Sequence, residues 1–201
     1  VTIENYLKNN LLEDFDLTDK EKEVLESFKT LKFHEYNIAD LFTIKNAGSI
    51  LSRSIIENSG ETPYLCASAE NNAVSSYISY NEKYLDEGNC IFIGGKTFVV
   101  TYQESDFYSN DSHNLVLYLM DKEQRNKLIQ LYLVTCINNS LKHKYSWGDS
   151  VSKAKIQNDK ILLPTKNNKP DYDFIEMYMK AMEKIVLRDV INWKNNILKT
   201  E

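Results

Sequence analysis

NCIFIGGKTFVVTY (Asn89–Tyr102) sets two short runs of β-branched and aromatic residues on either side of Gly94-Gly95. Such side chains suit the pleated, half-buried surface of a strand, and a glycine pair lets the chain reverse, so the stretch predicts a tight β-hairpin. Working outward, PYLCAS (Pro63–Ser68) and LVLYLM (Leu115–Met120) have the same character and are bounded by clusters of Gly, Asn, Asp and Ser, the signature of further strands and turns. Ahead of the first of these runs, Asn46–Thr62 has no period and is rich in Ser, Asn and Gly. A loop of that length in a compact domain is usually functional or disordered.

Further from the hairpin the period becomes helical. Leu128, Leu131, Tyr132 and Cys136 share one side of a helix expected over Lys122–Asn139, and a short strand is expected at Lys160–Leu163, before Pro164. From Tyr172 to Lys199 the apolar positions Ile175, Met179, Met182, Val186, Val190, Trp193 and Ile197 recur every three or four residues. That seam predicts one long helix, packed on its own domain or docked on a partner helix. At the other end, Thr18 followed by Glu21 forms a capping box, and Val24, Leu25 and Phe28 give the helix after it an apolar face. Tyr6–Phe15 reads as helical with an uneven period. The expected class is α+β (mixed α/β): a globular domain with a twisted, mostly antiparallel sheet, followed by a long C-terminal helix.

Composition narrows the function classes. In 201 residues, 42% are hydrophobic and 26% charged, ordinary values for a globular chain. No apolar run approaches the roughly 18 residues that span a bilayer, and the acidic, polar start is unlike a signal peptide, so a cytoplasmic protein is expected. The chain opens at Val1 instead of Met, which suggests processing or excision from something longer. Cys66, Cys90 and Cys136 stand apart with no CxxC pair and read as reduced core residues. The net charge of −5 is unusual for a nucleic-acid binder. Its distribution is uneven, however: residues 141–170 carry seven lysines against Asp149 and Asp159, a local basic segment that suits phosphate contact or merely a solvated surface.

Catalytic signatures are missing. The three prolines (Pro63, Pro164 and Pro170) are never adjacent, so the NPPY motif of amino-methyltransferases is absent; six glycines form neither GxGxxG nor a P-loop. Pro170-Asp171 is followed by no Glu-x-Lys or Asp-x-Lys of a nuclease. His34, His113 and His143 lack metal-ligand spacing. Asp111 and His113 can orient one another, and a buried structural pair is favoured over a catalytic dyad because no nucleophile accompanies them. No catalytic residue, metal or cofactor is expected.

Five segments in order resemble one family. HEYNIADLFTIKNAG (His34–Gly48) is similar to the entry of type I restriction–modification specificity-subunit domains: strand, short helix, variable loop. TPYLCASAENNAVSSYI (Thr62–Ile78) resembles the family's IPY-x-SAS-x-NNGV-x-x-Y stretch, with Ala73 where glycine is usual. GNCIFIGGKTFVVTYQESDFYSNDSH (Gly88–His113) resembles its GN-x-I-x-IG strand pair and SDH-like ending, with Ser112 intervening between Asp111 and His113. KYSWGDSVSKAKIQNDKILLP (Lys144–Pro164) is similar to the closing loop, helix and strand. NNKPDYDFIEMYMKAMEKI (Asn167–Ile185) is similar to the start of the conserved helical region.

The resemblance covers roughly residues 31–200. It implies a helical N-terminal segment (1–30), a target recognition domain (31–170) and a spacer or dimerisation helix (171–201). It further implies a non-catalytic subunit that reads double-stranded DNA and directs an adenine methyltransferase, with a nuclease, to its target. Helix pairing with a second copy or an equivalent helix is the expected assembly, and no membrane is involved.

Reading base edges requires cations and amides on loops. The expected DNA contacts are Arg53 and Ser54 in the long loop, Lys45 at its entry, and Lys96 at the hairpin turn. Lys142, Lys144, Tyr145, Trp147 and Lys153 join them from the basic segment, although Tyr145 and Trp147 read more readily as loop anchors in the core than as groups touching DNA. Asn71 and Asn72 are expected to shape their own turn. Met182, Val186, Val190, Trp193 and Ile197 are the expected partner contacts. Two other readings stay open: a protein-interaction module without DNA affinity, supported by the acidic total and the long apolar helix, and a small enzyme built on Asp111, His113 and Glu104.

Overall fold

The structure, a computed structural model, describes residues 16–198 and divides into two units: residues 33–163, and residues 1–32 together with 164–201. Helix α1 (Asp19–Ser27) belongs to the second. The first contains β1 (Phe33–Asn37), α2 (Ile38–Leu41), β2 (Phe42–Asn46), β3 (Thr62–Leu65), β4 (Val74–Ile78), β5 (Cys90–Ile93), β6 (Val100–Gln103), β7 (Tyr108–Ser109), β8 (Leu115–Leu119), α3 (Lys127–Leu141) and α4 (Lys153–Ile156). Strand β9 (Lys160–Lys166) runs out of it into β10 (Lys169–Pro170) and α5 (Tyr172–Leu198).

The central sheet has the order β2-β8-β5-β6 and is antiparallel throughout. Strands β5 and β8 are buried at every position, as their unbroken apolar runs demand, because a strand covered on both faces cannot alternate. One face is covered by α3, which packs on β5 and β6. The other presents Cys90, Phe92, Val116 and Tyr118 to Leu65 and Phe107, with Phe92 and Phe107 edge to face at 5.9 Å. A second sheet, β4-β3-β7, joins β3 to β4 antiparallel and to β7 parallel; Ile50, Tyr64, Ile78 and Tyr108 pack together there. The third, β1-β9-β10, turns through Asn167 and Asn168, both at positive φ, as a two-residue primed turn requires.

The structure refines several expectations. The β5–β6 hairpin forms, but Ile93 pairs with Val100, so Gly94–Val99 is a six-residue loop and not a tight turn. Phe98 takes φ 50° there and is buried, which pulls Thr97–Val99 out of the expected strand. Helix α3 begins at Lys127 because the Asn126 side chain caps it, accepting from the Ile129 N–H at 3.0 Å. Strand β4 goes unmarked in the sequence because its two serines resemble loop. Yet Ser76 faces inward and its hydroxyl accepts the Asn58 N–H at 3.0 Å. Asn71, Asn72 and Ala73 all adopt positive φ, the conformation in which glycine is least strained; Asn71 also donates to the Val74 carbonyl at 2.9 Å.

In the other unit, the capping box of α1 is present. Thr18 N–H donates to Glu21 Oε2 at 2.7 Å, and Glu21 N–H to Thr18 Oγ1 at 3.3 Å. Glu21 is buried and meets Lys184 of α5 at 2.9 Å. Burial raises its carboxyl, but Lys184 and Thr18 outweigh that and hold it below the ordinary value. Phe28 stacks on Tyr178 at 4.7 Å. Along α5, Ile175 and Ala181 are buried, Met179 and Met182 half-buried, and Val186, Val190 and Trp193 exposed. Tyr6–Phe15 and the side chain of Ile197 lie outside the described residues.

Candidate nucleic-acid interface

Four loops meet beside the central sheet, and main-chain hydrogen bonds connect them. The long loop after β2 is fastened to the β7–β8 segment: Ala47 N–H donates to the Asn114 carbonyl and Ile50 N–H to the Ser109 carbonyl, both at 2.9 Å. Asp86 accepts the Gly48 N–H at 2.7 Å, and Tyr64 donates its hydroxyl to the Ile50 carbonyl at 2.6 Å. Further on, Ser79 N–H reaches Ser59 Oγ at 3.2 Å. A loop with this many anchors is ordered. Leu51, Arg53, Ser54 and Ile56 project at its exposed part, Arg53 and Ser54 on a single tight turn at Ser52–Ser54.

The β5–β6 loop presses against the β7–β8 segment so closely that a side chain on Gly95 would stand 2.3 Å from the His113 carbonyl oxygen. Lys96, beside it, meets Asp111 at 3.2 Å, and Asp111 also accepts from His113 N–H at 2.9 Å and contacts its ring nitrogen at 2.7 Å. Partial burial raises the Asp111 carboxyl, but His113 and Lys96 outweigh it and hold the group down at about 2. The Asp111–His113 pair thus exists at the surface, with His113 exposed, not in the core as expected. Glu104 engages a different residue, Lys127, at 3.5 Å.

The fourth loop, 142–152, is fixed to the hairpin by Val151 N–H donating to the Gly95 carbonyl at 3.1 Å. Tyr145 is 4% exposed and lies against Phe98 at 5.0 Å, and its hydroxyl donates to the buried carboxylate of Asp159, which also holds Lys144. Burial and that carboxylate push the phenol above its ordinary value. Tyr145 is therefore an anchor, and its DNA-contact reading is corrected on that ground: its ring has no free face to offer. Trp147 is the opposite, 77% exposed at the tip of a reversal closed by Ser146 and Asp149.

Around these loops, Arg53, Lys142 and Lys153 are exposed and have no ion-pair partner among the described residues. Lys144 and Lys155 are exposed but paired, with Asp159 and Asp149. Lys45 is held differently. It lies on β2 with its ammonium 5.1 Å over the Tyr118 ring, in an open cleft of about 390 Å³ with Glu87, Asn89, Lys122 and Arg125. Sequence reasoning missed Lys122 and Arg125, whose chemistry becomes visible only once the loop before α3 is folded. Arg125 donates twice to the Leu119 carbonyl, at 3.0 and 2.8 Å, which makes it a brace for that cleft.

Among the described residues, no group of three His, Cys, Asp or Glu side chains is placed to hold a metal, and no helix is long and apolar enough to cross a membrane. Burial raises all three thiols, that of Cys136 to about 12, so they stay protonated and act in packing.

Residues 31–192 match the family model described as type I restriction modification DNA specificity domain. The type II restriction enzyme BgcI specificity subunit S.BcgI of Heyndrickxia coagulans is 29% identical over 154 residues, which cover 76% of this chain and 44% of that protein. The fold is shared with the S subunit of a type I restriction-modification system from M. genitalium (TM-score 0.54, 15% identity, 88% of this chain and 44% of that one). It is shared as well with the HsdS subunit from Thermoanaerobacter tengcongensis (TM-score 0.54, 14% identity, 94% and 50%). The chain spans half the length of these relatives or less.

Proposed function

This chain belongs to the family of type I restriction modification DNA specificity domains, and on that premise we propose that its four-loop end is the face that reads duplex DNA. What supports the reading is that segments connected by main-chain hydrogen bonds beside one sheet carry Arg53, Lys142 and, at the start of α4, Lys153, all exposed and without an ion-pair partner among the described residues. Lysines of this kind set register on phosphates, whereas an arginine on a loop tip can take the O6 and N7 of guanine. Ser54, next to Arg53 in its turn, Lys96 of the hairpin loop and Lys45 on β2 complete the proposed footprint.

Specificity domains select a site and leave the chemistry to other subunits. The chain accordingly acts as one recognition unit, residues 31–170, with α5 as spacer, inside a longer subunit or paired with a second unit. It hands its target to an adenine methyltransferase and a nuclease, in the cytoplasm and without a cofactor of its own. The exposed Val186, Val190 and Trp193 of α5 are the surface through which it pairs, extended by Met182 and Ile197.

The test is a titration of duplex pools at several salt concentrations, with the wild-type chain and with Lys142→Ala, Lys153→Ala. Each lost phosphate contact should lower the magnitude of the salt slope by roughly 0.9, giving a drop of roughly two for the pair, with weaker binding to every sequence alike. Arg53→Ala should instead relax preference at one position, by roughly 1–3 kcal/mol. An unchanged salt slope in the double variant places the DNA face elsewhere.

A further inference from the structure

We propose that Trp147 is a wedge: its indole inserts at a base step of bound duplex, stacks on an exposed base face and opens the step. This rests on the reading of the four-loop end as the DNA face and adds to it the way one residue engages the duplex. A tryptophan left mostly in water is uncommon, because its large apolar surface gains so much from burial. Here the neighbouring Tyr145 already anchors the loop, through Phe98 on its ring and Asp159 on its hydroxyl, so Trp147 is not needed for folding.

The tip that carries it is held from both sides. Ser146 N–H donates to the Asp149 carbonyl at 3.2 Å and Asp149 N–H to the Ser146 carbonyl at 3.0 Å, closing a reversal with Trp147 and Gly148 at its summit. Behind the summit, Lys155 pairs with Asp149 and donates to the Ser150 carbonyl at 2.9 Å, and Val151 N–H reaches Gly95. Beyond the summit is open space: a side chain built on Gly148 would meet no atom within 4 Å. A rigid support of this sort means little conformational freedom is lost when the ring is driven between bases.

Charge identifies the occupant. The charged groups flanking the tip are Lys142, Lys144, Asp149, Lys153 and Lys155; Asp149 pairs with Lys155 and Lys144 with Asp159, which leaves Lys142 and Lys153 exposed with no ion-pair partner among the described residues. An apolar ring framed by cations fits a base stack framed by phosphates, the arrangement through which minor-groove and architectural proteins kink DNA. A protein partner with an apolar socket would leave those cations without complementary charge.

The chain contains two tryptophans, so Trp193→Phe leaves Trp147 as the sole indole reporter. The probe is a duplex selected from a random pool by the wild-type chain at low salt. Emission from Trp147 should be quenched on binding, and Trp147→Ala should bind roughly 5- to 150-fold more weakly. Its salt slope should stay unchanged, since no phosphate contact is removed, and Trp147→Phe should recover much of the loss. Unquenched emission, or wild-type affinity in Trp147→Ala, overturns the wedge while DNA reading stands if Lys142→Ala, Lys153→Ala still weakens binding. A Trp147→Ala chain that keeps its DNA affinity but loses a methyltransferase makes the tip a protein contact and overturns it too. Failure of the wild-type chain to retain any duplex defeats the DNA reading itself, and the wedge with it.

Discussion

Asp111 shows how much one carboxylate can organise. It takes Lys96 on one oxygen and the backbone and ring of His113 on the other, tying the hairpin loop to the β7–β8 segment. Partial burial opposes its ionisation, but these partners prevail and its carboxyl falls from 3.8 to about 2. A depressed carboxyl stabilises the fold above its unfolded value and loses that contribution as pH falls through the folded one. Chemical denaturation of Asp111→Asn against wild type should therefore show a stability gap that is flat from neutrality to about pH 4 and closes towards about pH 2. A gap that instead widened with acid would show that the carboxylate is not the stabilising species. The spacing of Asp111 and His113 foretold their partnership but not Lys96, which is brought in by the hairpin's curvature.

At the scale of elements, the loops are set by close approach of backbone to backbone. Gly95 adopts no unusual φ; glycine is required because an added methyl group would lie 2.3 Å from the His113 carbonyl oxygen and 3.0 Å from its Cβ. Gly95→Ala should cost about 1–3 kcal/mol, the usual penalty of overpacking, measured as a fall in unfolding midpoint. DNA affinity should fall in step, since the same contact positions Lys96 and, through Val151, the Trp147 loop. The strands that were plain in the sequence, β5 and β8, are those buried on both faces, where chemistry and position agree. Strands β4 and β7 escaped notice because serines occupy inward positions that only the partner segments, Asn58 and Asp111 among them, make acceptable. The hairpin's true length was likewise hidden: Phe98 reads as a strand residue, and its burial against Tyr145 is a tertiary event.

At the scale of the whole molecule, the question is what covers the far end of α5. Its 27 residues extend about 40 Å, and the periodic seam that marked it in the sequence is buried at Ile175 yet open at Val186, Val190 and Trp193. Burying side chains of this size contributes about 1.5–3 kcal/mol each, a strong drive towards pairing. Solution mass should accordingly show self-association, or assembly with a partner subunit, that Val190→Glu with Trp193→Glu abolishes. A monomer in both cases, with unchanged assembly onto the methyltransferase, would mean that the seam has no partner. Periodicity locates such a seam, but only exposure tells which of its residues are still uncovered.

The loop after β2 is held mainly by main-chain groups, the N–H of Ala47, Gly48, Ile50 and Asn58 and the carbonyl of Ile50, joined by the buried Ile50 side chain and the Ser52 and Ser59 hydroxyls. Peptide groups are the same whatever residue carries them, so the exposed positions at Leu51, Arg53, Ser54 and Ile56 can be rewritten by mutation at little cost to folding. On the proposed reading, selection acts on two nearly separate alphabets, one that keeps the scaffold and one that chooses the target. A lineage built this way can acquire a new preference by single substitutions without passing through an unfolded ancestor.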